Sequence, residues 1–180
     1  MKQNRVPGDS RPILLAPGEG WGTGDHETTQ LCLQAIGLLF PWRSSPGFRM
    51  LDFGSGSGIL SIGAARLGGS VEAVEIDESA IEHGRQNARL NGVEPSIRFR
   101  REIDCPPGSC ELVVANILRS VLLQFAPALV RSLAPEGVLV LSGLVATDVP
   151  EVTVRYSSLL AGRRPEVFQR GDWRALVWRG

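Results

Sequence analysis

Two acidic residues and three glycines are spaced in the sequence as a ligand site would need them. Asp52 precedes three glycines at alternate positions, Gly54, Gly56 and Gly58, and Glu75 follows them further along the chain. Glycine adopts backbone conformations that side chains forbid, and it lets a ligand come close to the main chain. The helical pattern after Gly58 would also direct free N–H groups back into the turn. We therefore predict a small-molecule ligand over this turn, at the carboxyl end of the preceding strand.

The spacing of the glycines and the flanking carboxylates indicate which ligand the turn holds. A dinucleotide site has the pattern G-x-G-x-x-G, whereas this turn has G-x-G-x-G with Asp52 two residues before the first glycine. A carboxylate there repels a pyrophosphate and suits a positively charged cofactor. S-adenosyl-L-methionine carries a sulfonium, an ammonium and a ribose, and Glu75 has about the spacing at which an acid binds ribose hydroxyls. The residues favour S-adenosyl-L-methionine over a dinucleotide, with S-adenosyl-L-homocysteine as its product.

Further residues are predicted to bind the same cofactor. Ser55 lies within the glycine turn, and Ile76 follows Glu75 directly. Glu102 and Asp104 come just after a predicted third strand, where an acid can accept a hydrogen bond from the adenine amino group. The loop length leaves the choice between these two acids open, and we take Glu102 as the candidate.

Asn116 and His26 are the candidate catalytic residues. Asn116 ends an apolar, strand-like run, so it would lie next to the transferred methyl group. Its side-chain and backbone carbonyl oxygens could orient an amine there. The alternative is that Asn116 only caps the strand end. His26 opens a helix, where it could cover the methionine end of the cofactor, act as a base, or hold the loop backbone. Thr23 and Thr28 could bond the cofactor carboxylate or only the turn.

Apolar strand-like runs alternate with helical patterns along the chain. Strands are predicted at 49–53, 71–77, 96–101, 112–115 and 137–141, helices at 59–67 and 150–160 among others, and a terminal hairpin at 166–170 and 173–178, joined by a turn at Gly171–Asp172. Asp77 is predicted to cap the helix after the second strand, and His83 is expected on a solvated face of that helix. Such alternation predicts an α/β fold with a doubly wound, mostly parallel sheet. The expected architecture is the Rossmann-like, seven-stranded sheet of the class I S-adenosylmethionine-dependent methyltransferases, with a C-terminal antiparallel hairpin.

Composition excludes several classes of protein. The chain has 180 residues, enough for one domain, with 19 basic and 19 acidic residues, so nothing global indicates nucleic acid or an anionic membrane as a partner. Cys32, Cys105 and Cys110 lack metal-ligand spacing and suit reduced thiols in the cytoplasm, and no metal site is expected. We expect a loose polar arm at residues 1–12 and a single domain at 13–180, without a signal peptide or membrane span.

Several stretches resemble the PrmA-type methyltransferases, which modify lysines of a ribosomal large-subunit protein. The resemblance spans roughly residue 13 to the C-terminus, and its most specific parts are the glycine-rich stretch at 22–29 and the end of the run at 112–118. The matching residues are Pro17–Gly18, Gly22–Gly24, His26, Thr28–Thr29, 52–61, Asn87, Asn91–Gly92 and 112–118. The resemblance implies a protein lysine amine, possibly ribosomal, as the methyl acceptor.

The chain departs from the family pattern at several positions. Asp25 and Glu27 stand where a hydroxyl residue and a proline are usual, Trp21 replaces a phenylalanine, and Glu75 replaces an aspartate. The family's separate N-terminal recognition domain has no counterpart in the few residues before the first match. Three alternatives therefore stay open: a small-molecule methyltransferase, a catalytically silent cofactor-binding scaffold and, against the glycine spacing, a dehydrogenase. The oligomeric state is not predicted.

Overall fold

The chain forms one seven-stranded sheet with helices on both faces. The structure is a computed structural model that describes residues 4–17, 24–39 and 47–180. The strands are β1 (Arg49–Phe53), β2 (Ser70–Val74), β3 (Ile97–Arg100), β4 (Cys110–Asn116), β5 (Leu133–Val145), β6 (Glu166–Arg170) and β7 (Trp173–Trp178). The α-helices are α1 (Glu27–Leu39), α2 (Ile59–Arg66), α3 (Glu78–Leu90), α4 (Arg119–Ser132) and α5 (Val149–Leu159). Short 3-10 turns lie at Glu94–Ser96 and Ala146–Asp148.

The strand order places a ligand crevice beside β1. The order across the sheet is β3-β2-β1-β4-β5-β7-β6. Strands β1 to β5 run parallel, and β7 runs antiparallel to both β5 and β6. The order reverses between β1 and β4, and open α/β sheets bind ligands at the carboxyl edge of such a switch point. The predicted doubly wound sheet and its C-terminal antiparallel hairpin are confirmed.

Alternate residues of the central strands pack into two separate cores. Met50 of β1 and Val114 of β4 belong to the core under α1, α2 and α3. Leu51 and Val113, their sequence neighbours, belong to the core under α4 and α5. Successive side chains of a strand point to opposite faces, so strands covered on both sides are apolar at nearly every position. This double burial explains why the run at 112–115 is wholly apolar, and it makes the buried Asp52 of β1 an exception.

Residues 4–12 pack against the domain and do not form the loose arm that their polar sequence predicts. Val6 is buried in the core beneath α1 and α2. Asp9 pairs with Arg66 at 3.7 Å and with Arg11 at 3.1 Å, and the Asp9 side chain is almost fully buried. A local apolar side chain and a buried ion pair therefore anchor the segment. The assignment of residues 13–180 as a single domain stays a prediction.

Some predicted boundaries shift because of contacts that join distant parts of the chain. The second strand ends at Val74, not at Asp77, because the Val74 carbonyl accepts hydrogen bonds from Gly54 and Ser55. Asp77 caps α3 as predicted, accepting from the Ser79 backbone N–H at 2.9 Å. The fifth strand extends over Leu133–Val145, well beyond the predicted 137–141, because β4 and β7 pair along much of it.

Candidate active site

The glycine turn between β1 and α2 is tightly packed against the end of β4. Gly54, Gly56 and Gly58 have φ values of 78°, 50° and 76°, all in the left-handed region that other residues avoid. A Cβ on Gly54 would lie 2.4 Å from Cγ2 of Ile117, which follows the last residue of β4. The turn thus needs glycine for its conformation and, at Gly54, for the closeness of the neighbouring strand end.

Glu75 holds the glycine turn at the end of β2. Its Oε2 accepts a hydrogen bond from the Gly56 backbone N–H at 3.0 Å. Its Oε1 accepts from the N–H groups of Ile76 at 2.8 Å and Asp77 at 3.1 Å. The structure therefore brings together the turn and the second acid, as the sequence spacing predicts. The carboxylate is half-buried and oriented by three backbone donors.

Asp52 lies within the sheet beside the turn and is only 1% exposed. Its Oδ2 accepts a hydrogen bond from the Ser61 hydroxyl of α2 at 2.6 Å. Burial raises the pKa of Asp52 from its ordinary 3.8 to about 6, the Ser61 bonds oppose the rise, and the negative charge of Glu75 adds to it. The carboxylate is therefore charged at neutral pH only at an energetic cost, which a nearby positive charge would reduce.

Ser55 presents a polar atom that the described part of the chain leaves without a partner. Its hydroxyl Oγ is buried and forms no hydrogen bond there. A buried hydroxyl without a partner costs free energy, and such groups are uncommon in folded proteins. Together with the cradle at Gly54 and the oriented Glu75 carboxylate, this hydroxyl fits a polar ligand lying on the turn.

Asn116, the last residue of β4, lies beside the turn with its side chain half-buried. It pairs with Ser142 of β5. Within the described residues, no hydrogen bond holds the Asn116 side chain. The side chain of the next residue, Ile117, packs against Gly54 of the turn. The Ile117 carbonyl oxygen packs equally closely against Gly143, where an added Cβ would lie only 2.5 Å from it. The strand end is thus fixed from both sides while the Asn116 amide stays available.

His26 lies at the start of α1, close to β7 rather than buried in the glycine turn. Its Nδ1 is 2.8 Å from the Thr28 hydroxyl and 3.4 Å from the Thr28 backbone nitrogen. The imidazole also contacts the Trp173 indole edge-on, with ring centroids 4.8 Å apart. Trp173 pairs with Val145 at the carboxyl end of β5, so this group occupies the same sheet edge as the turn. Thr23 lies outside the described residues.

The remaining predicted cofactor residues also lie beyond strand ends at this edge. Ile76 is 75% exposed, unusual for a large apolar side chain beside a polar turn. Glu102 is exposed and forms no ion pair within the described residues. Asp104 instead pairs with Arg100 at 3.7 Å, and its backbone N–H donates to Glu72 at 2.8 Å. Of the two acids, Glu102 therefore has fewer polar partners within the described residues.

Two residues that contact the N-terminal segment from α3 were missed or misjudged from the sequence. Asn87 is fully buried and bonds both the turn and Ala16, although the sequence shows only that a polar residue interrupts the inner face of a helix. His83 was expected to be solvated, but its Nε2 lies 3.1 Å from the Ala16 carbonyl oxygen. Neither contact could be read from the sequence, because both depend on where residues 13–17 pack.

The strand order and the acid-flanked glycine turn define the class I S-adenosylmethionine-dependent methyltransferase fold. The chain belongs to the ribosomal protein L11 methyltransferase (PrmA) family, whose profile matches residues 2–180. A ribosomal protein L11 methyltransferase of Pelobacter propionicus is 38% identical over 95% of this chain and 56% of its own length. One from Pseudomonas aeruginosa is 41% identical over 83% of this chain and 50% of its own length. The chain spans about half the length of the curated relatives it matches.

Solved structures support the same fold. A ribosomal protein L11 methylase from Lactobacillus delbrueckii subsp. bulgaricus superposes with a TM-score of 0.82 at 29% identity, over 99% of this chain and 91% of that chain. The T. thermophilus 16S rRNA methyltransferase RsmC, solved with AdoMet and guanosine, gives a TM-score of 0.78 at 18% identity, over 98% of this chain and 49% of that one. The second likeness shows the fold alone.

No helix in the described part of the chain is long and apolar enough for a membrane span.

Proposed function

We propose that the chain transfers a methyl group from S-adenosyl-L-methionine to a nitrogen, the side-chain amine of a protein lysine. The observation that carries the proposal is the geometry of the glycine turn. Glu75 holds this turn through the Gly56 N–H, and the end of β4, which carries Asn116, packs against it. The buried, unpartnered Ser55 hydroxyl supports a polar ligand on that turn. Membership of the methyltransferase family supports the identity of the ligand.

Each part of the cofactor has candidate partners among the residues of this edge. The Glu75 carboxylate, already aligned by three backbone donors, can accept from ribose hydroxyls. The exposed Ile76 side chain offers an apolar surface to the adenine ring, and Glu102 can accept from its amino group. Thr23 and Thr28 are proposed to bind the methionine carboxylate. When bound, the cofactor supplies a methyl group on a positively charged sulfur; a nucleophile attacks that methyl group, and the sulfur leaves as a neutral thioether.

Asn116 is proposed to position the acceptor. Its amide has no partner among the described residues, so its side-chain and backbone carbonyl oxygens can accept from the N–H groups of an amine. Two such acceptors would fix the amine and aim its lone pair, and alignment of reacting groups accounts for much of the rate in such displacements. A lysine must also be neutral to react, and desolvation in a closed pocket lowers the pKa of an amine.

His26 is proposed to cover the site rather than to act as the base. The Thr28 backbone N–H can only donate, so the contact at 3.4 Å makes His26 Nδ1 an acceptor. A neutral imidazole then carries its proton on Nε2 and offers a donor there. The edge contact with Trp173 fixes the ring in this position.

A ribosomal protein is the proposed substrate. The matched relatives are named ribosomal protein L11 methyltransferases, and that name supports the same substrate class here. Asp25 and Glu27 are exposed at the start of α1, where their negative charge would attract a cationic lysine side chain. Such a substrate is consistent with an enzyme of the cytoplasm.

Calorimetric titration of the chain with S-adenosyl-L-homocysteine and, separately, with NAD tests the cofactor. We expect S-adenosyl-L-homocysteine to bind and NAD not to bind. Binding of NAD alone would contradict the proposal and favour a dehydrogenase.

Transfer of a labelled methyl group tests the reaction. The chain is incubated with methyl-labelled S-adenosyl-L-methionine and ribosomal protein L11, and in parallel with a protein-free extract of small metabolites. We expect mass spectrometry to find label on lysine of the polypeptide. Label confined to a metabolite would favour a small-molecule acceptor, and cofactor binding without any labelled product would favour a silent scaffold.

A further inference from the structure

Two polar side chains of α3, and that of Asn91 directly after it, hold the N-terminal segment at residues 13–17, here named the strap. His83, Asn87 and Asn91 follow one another at intervals of four residues, so they form a single stripe on the helix. Asn91 bonds the strap at Leu14 in both directions: its Oδ1 accepts from the Leu14 N–H at 3.0 Å, and its Nδ2 donates to the Leu14 carbonyl at 2.7 Å.

The other two members of the stripe bond the strap two residues further on. Asn87 Oδ1 accepts from the Ala16 N–H at 2.8 Å, and His83 Nε2 contacts the Ala16 carbonyl oxygen at 3.1 Å. Alternate residues of an extended segment point the same way, so Leu14 and Ala16 both turn their backbone groups toward α3. The stripe therefore holds the strap much as a neighbouring strand would.

Asn87 differs from the other two because it also bonds the glycine turn. Its Nδ2 donates to the carbonyl oxygen of Ser57 at 2.8 Å, between Gly56 and Gly58. The Asn87 side chain is fully buried, so water cannot take over either hydrogen bond. One rigid amide thus joins the strap to the turn on which the cofactor is proposed to lie.

We propose that Asn87 is a positioning residue that couples the strap to the cofactor turn, an inference that rests on the proposed function. The Ser57 carbonyl fixes the orientation of the peptide that leads into Gly58 and the N-terminus of α2. The Glu75 carboxylate holds the same turn through the Gly56 N–H.

Binding of S-adenosyl-L-homocysteine to two matched variants tests the role of Asn87. Asn91→Ala removes the bonds of Asn91 to Leu14, Arg66 and the Asn87 carbonyl but leaves the Ser57 bond intact. Asn87→Ala removes the bonds to both Ala16 and Ser57. Loss of one buried hydrogen bond to the turn is expected to weaken S-adenosyl-L-homocysteine about tenfold more in Asn87→Ala than in Asn91→Ala. Thermal melting checks that both are folded at the assay temperature. If Asn87→Ala does not fold, Asn87→Ser replaces it, because its short hydroxyl can reach one partner at most.

Protection of the strap from proteolysis gives a second readout that loss of stability alone would not change. Coupling between two sites is reciprocal, so a ligand on the turn must also stabilise the strap. Chymotrypsin cleavage after Leu14 and Leu15 is measured with and without saturating S-adenosyl-L-homocysteine. We expect the ligand to slow cleavage severalfold in the wild-type chain and in Asn91→Ala. In Asn87→Ala it should slow cleavage much less, because only the protection from global unfolding remains.

The outcomes separate this inference from the proposed function. A wild-type chain that does not bind S-adenosyl-L-homocysteine overturns both. A wild-type chain that binds it, with equal losses of affinity in the Asn87 and Asn91 variants, overturns the coupling role alone. Undiminished protection of the strap in the Asn87 variant overturns it as well.

Discussion

Replacement of Gly54 by alanine tests the close packing between the turn and the end of β4. The residue has a φ of 78°, which costs an alanine about 1–2 kcal/mol. The new Cβ would lie 2.4 Å from Ile117 Cγ2, whereas carbon atoms in contact are ordinarily about 3.5–4.0 Å apart. Overpacking of this kind costs about 1–3 kcal/mol more. We therefore expect the free energy of unfolding to fall by about 2–5 kcal/mol.

Gly108→Ala is the matched control for backbone strain. Gly108 has a φ of 68° and lies in the loop before β4, away from the turn. A Cβ there would have no neighbour within 4 Å, so only the conformational cost of about 1–2 kcal/mol applies. The difference in stability between the two variants therefore measures the clash with Ile117.

Urea denaturation and calorimetric titration with S-adenosyl-L-homocysteine measure the two effects. Relief of the clash must move either the turn or the strand end that carries Asn116, so Gly54→Ala should lose at least about tenfold in affinity, or about 1.4 kcal/mol. Gly108→Ala should bind within about twofold of the wild-type chain, because its loop lies apart from the site. If Gly54→Ala matches the Gly108 variant in both stability and affinity, the close packing at the turn has no role in binding.

Three further substitutions probe the polar groups of the site. The Asp52 pKa is raised to about 6, so the folded state binds that proton more tightly than the unfolded one, and wild-type stability should fall as pH rises from about 4 to 6. Asp52→Asn should remove this pH dependence and raise the free energy of unfolding by up to about 3 kcal/mol above pH 6, as measured by urea denaturation. An unchanged pH dependence would show that another group causes it. Ser55→Ala should gain about 1 kcal/mol in stability by removing a buried unpartnered hydroxyl, yet lose affinity for S-adenosyl-L-homocysteine severalfold. Asn116→Ala should leave that affinity within about twofold and cut turnover by about 100-fold, and equal loss of both would contradict its role.

Local sequence patterns were sufficient to predict most of the fold. The apolar runs that became β1 and β4, the Asp77 cap and the hairpin turn at Gly171–Asp172 each depend on a few neighbouring residues. The pairing of the glycine turn with Glu75 was also predictable, because the carboxyl ends of adjacent parallel strands meet at one sheet edge.

The features that the sequence did not predict all depend on contacts between distant segments. The packing of residues 4–12 depends on Arg66, which lies in α2, and the role of Asn87 depends on the position of the strap. The sequence spacing suggested that Asp52 would meet a cofactor charge directly. That role stays a prediction, and the structure adds a partner that the sequence did not show: the Ser61 hydroxyl donates to the Asp52 carboxylate, since a helix begins next to the strand that carries it. Polar residues on buried faces are the signal that such contacts exist, but their partners become known only with the fold.

The charge around the glycine turn favours a cationic ligand over a pyrophosphate. Asp52 and Glu75 both lie at the turn, and neither forms an ion pair with any residue in the described ranges. The N-terminus of α2 supplies only about half a positive charge, which does not balance two carboxylates. Burial is the main cause of the raised pKa of Asp52, and the negative charge of Glu75 adds to it. A ligand with a positive centre would relieve the repulsion that a diphosphate would increase, so the arrangement of acids, and not the glycines alone, selects the methyl donor.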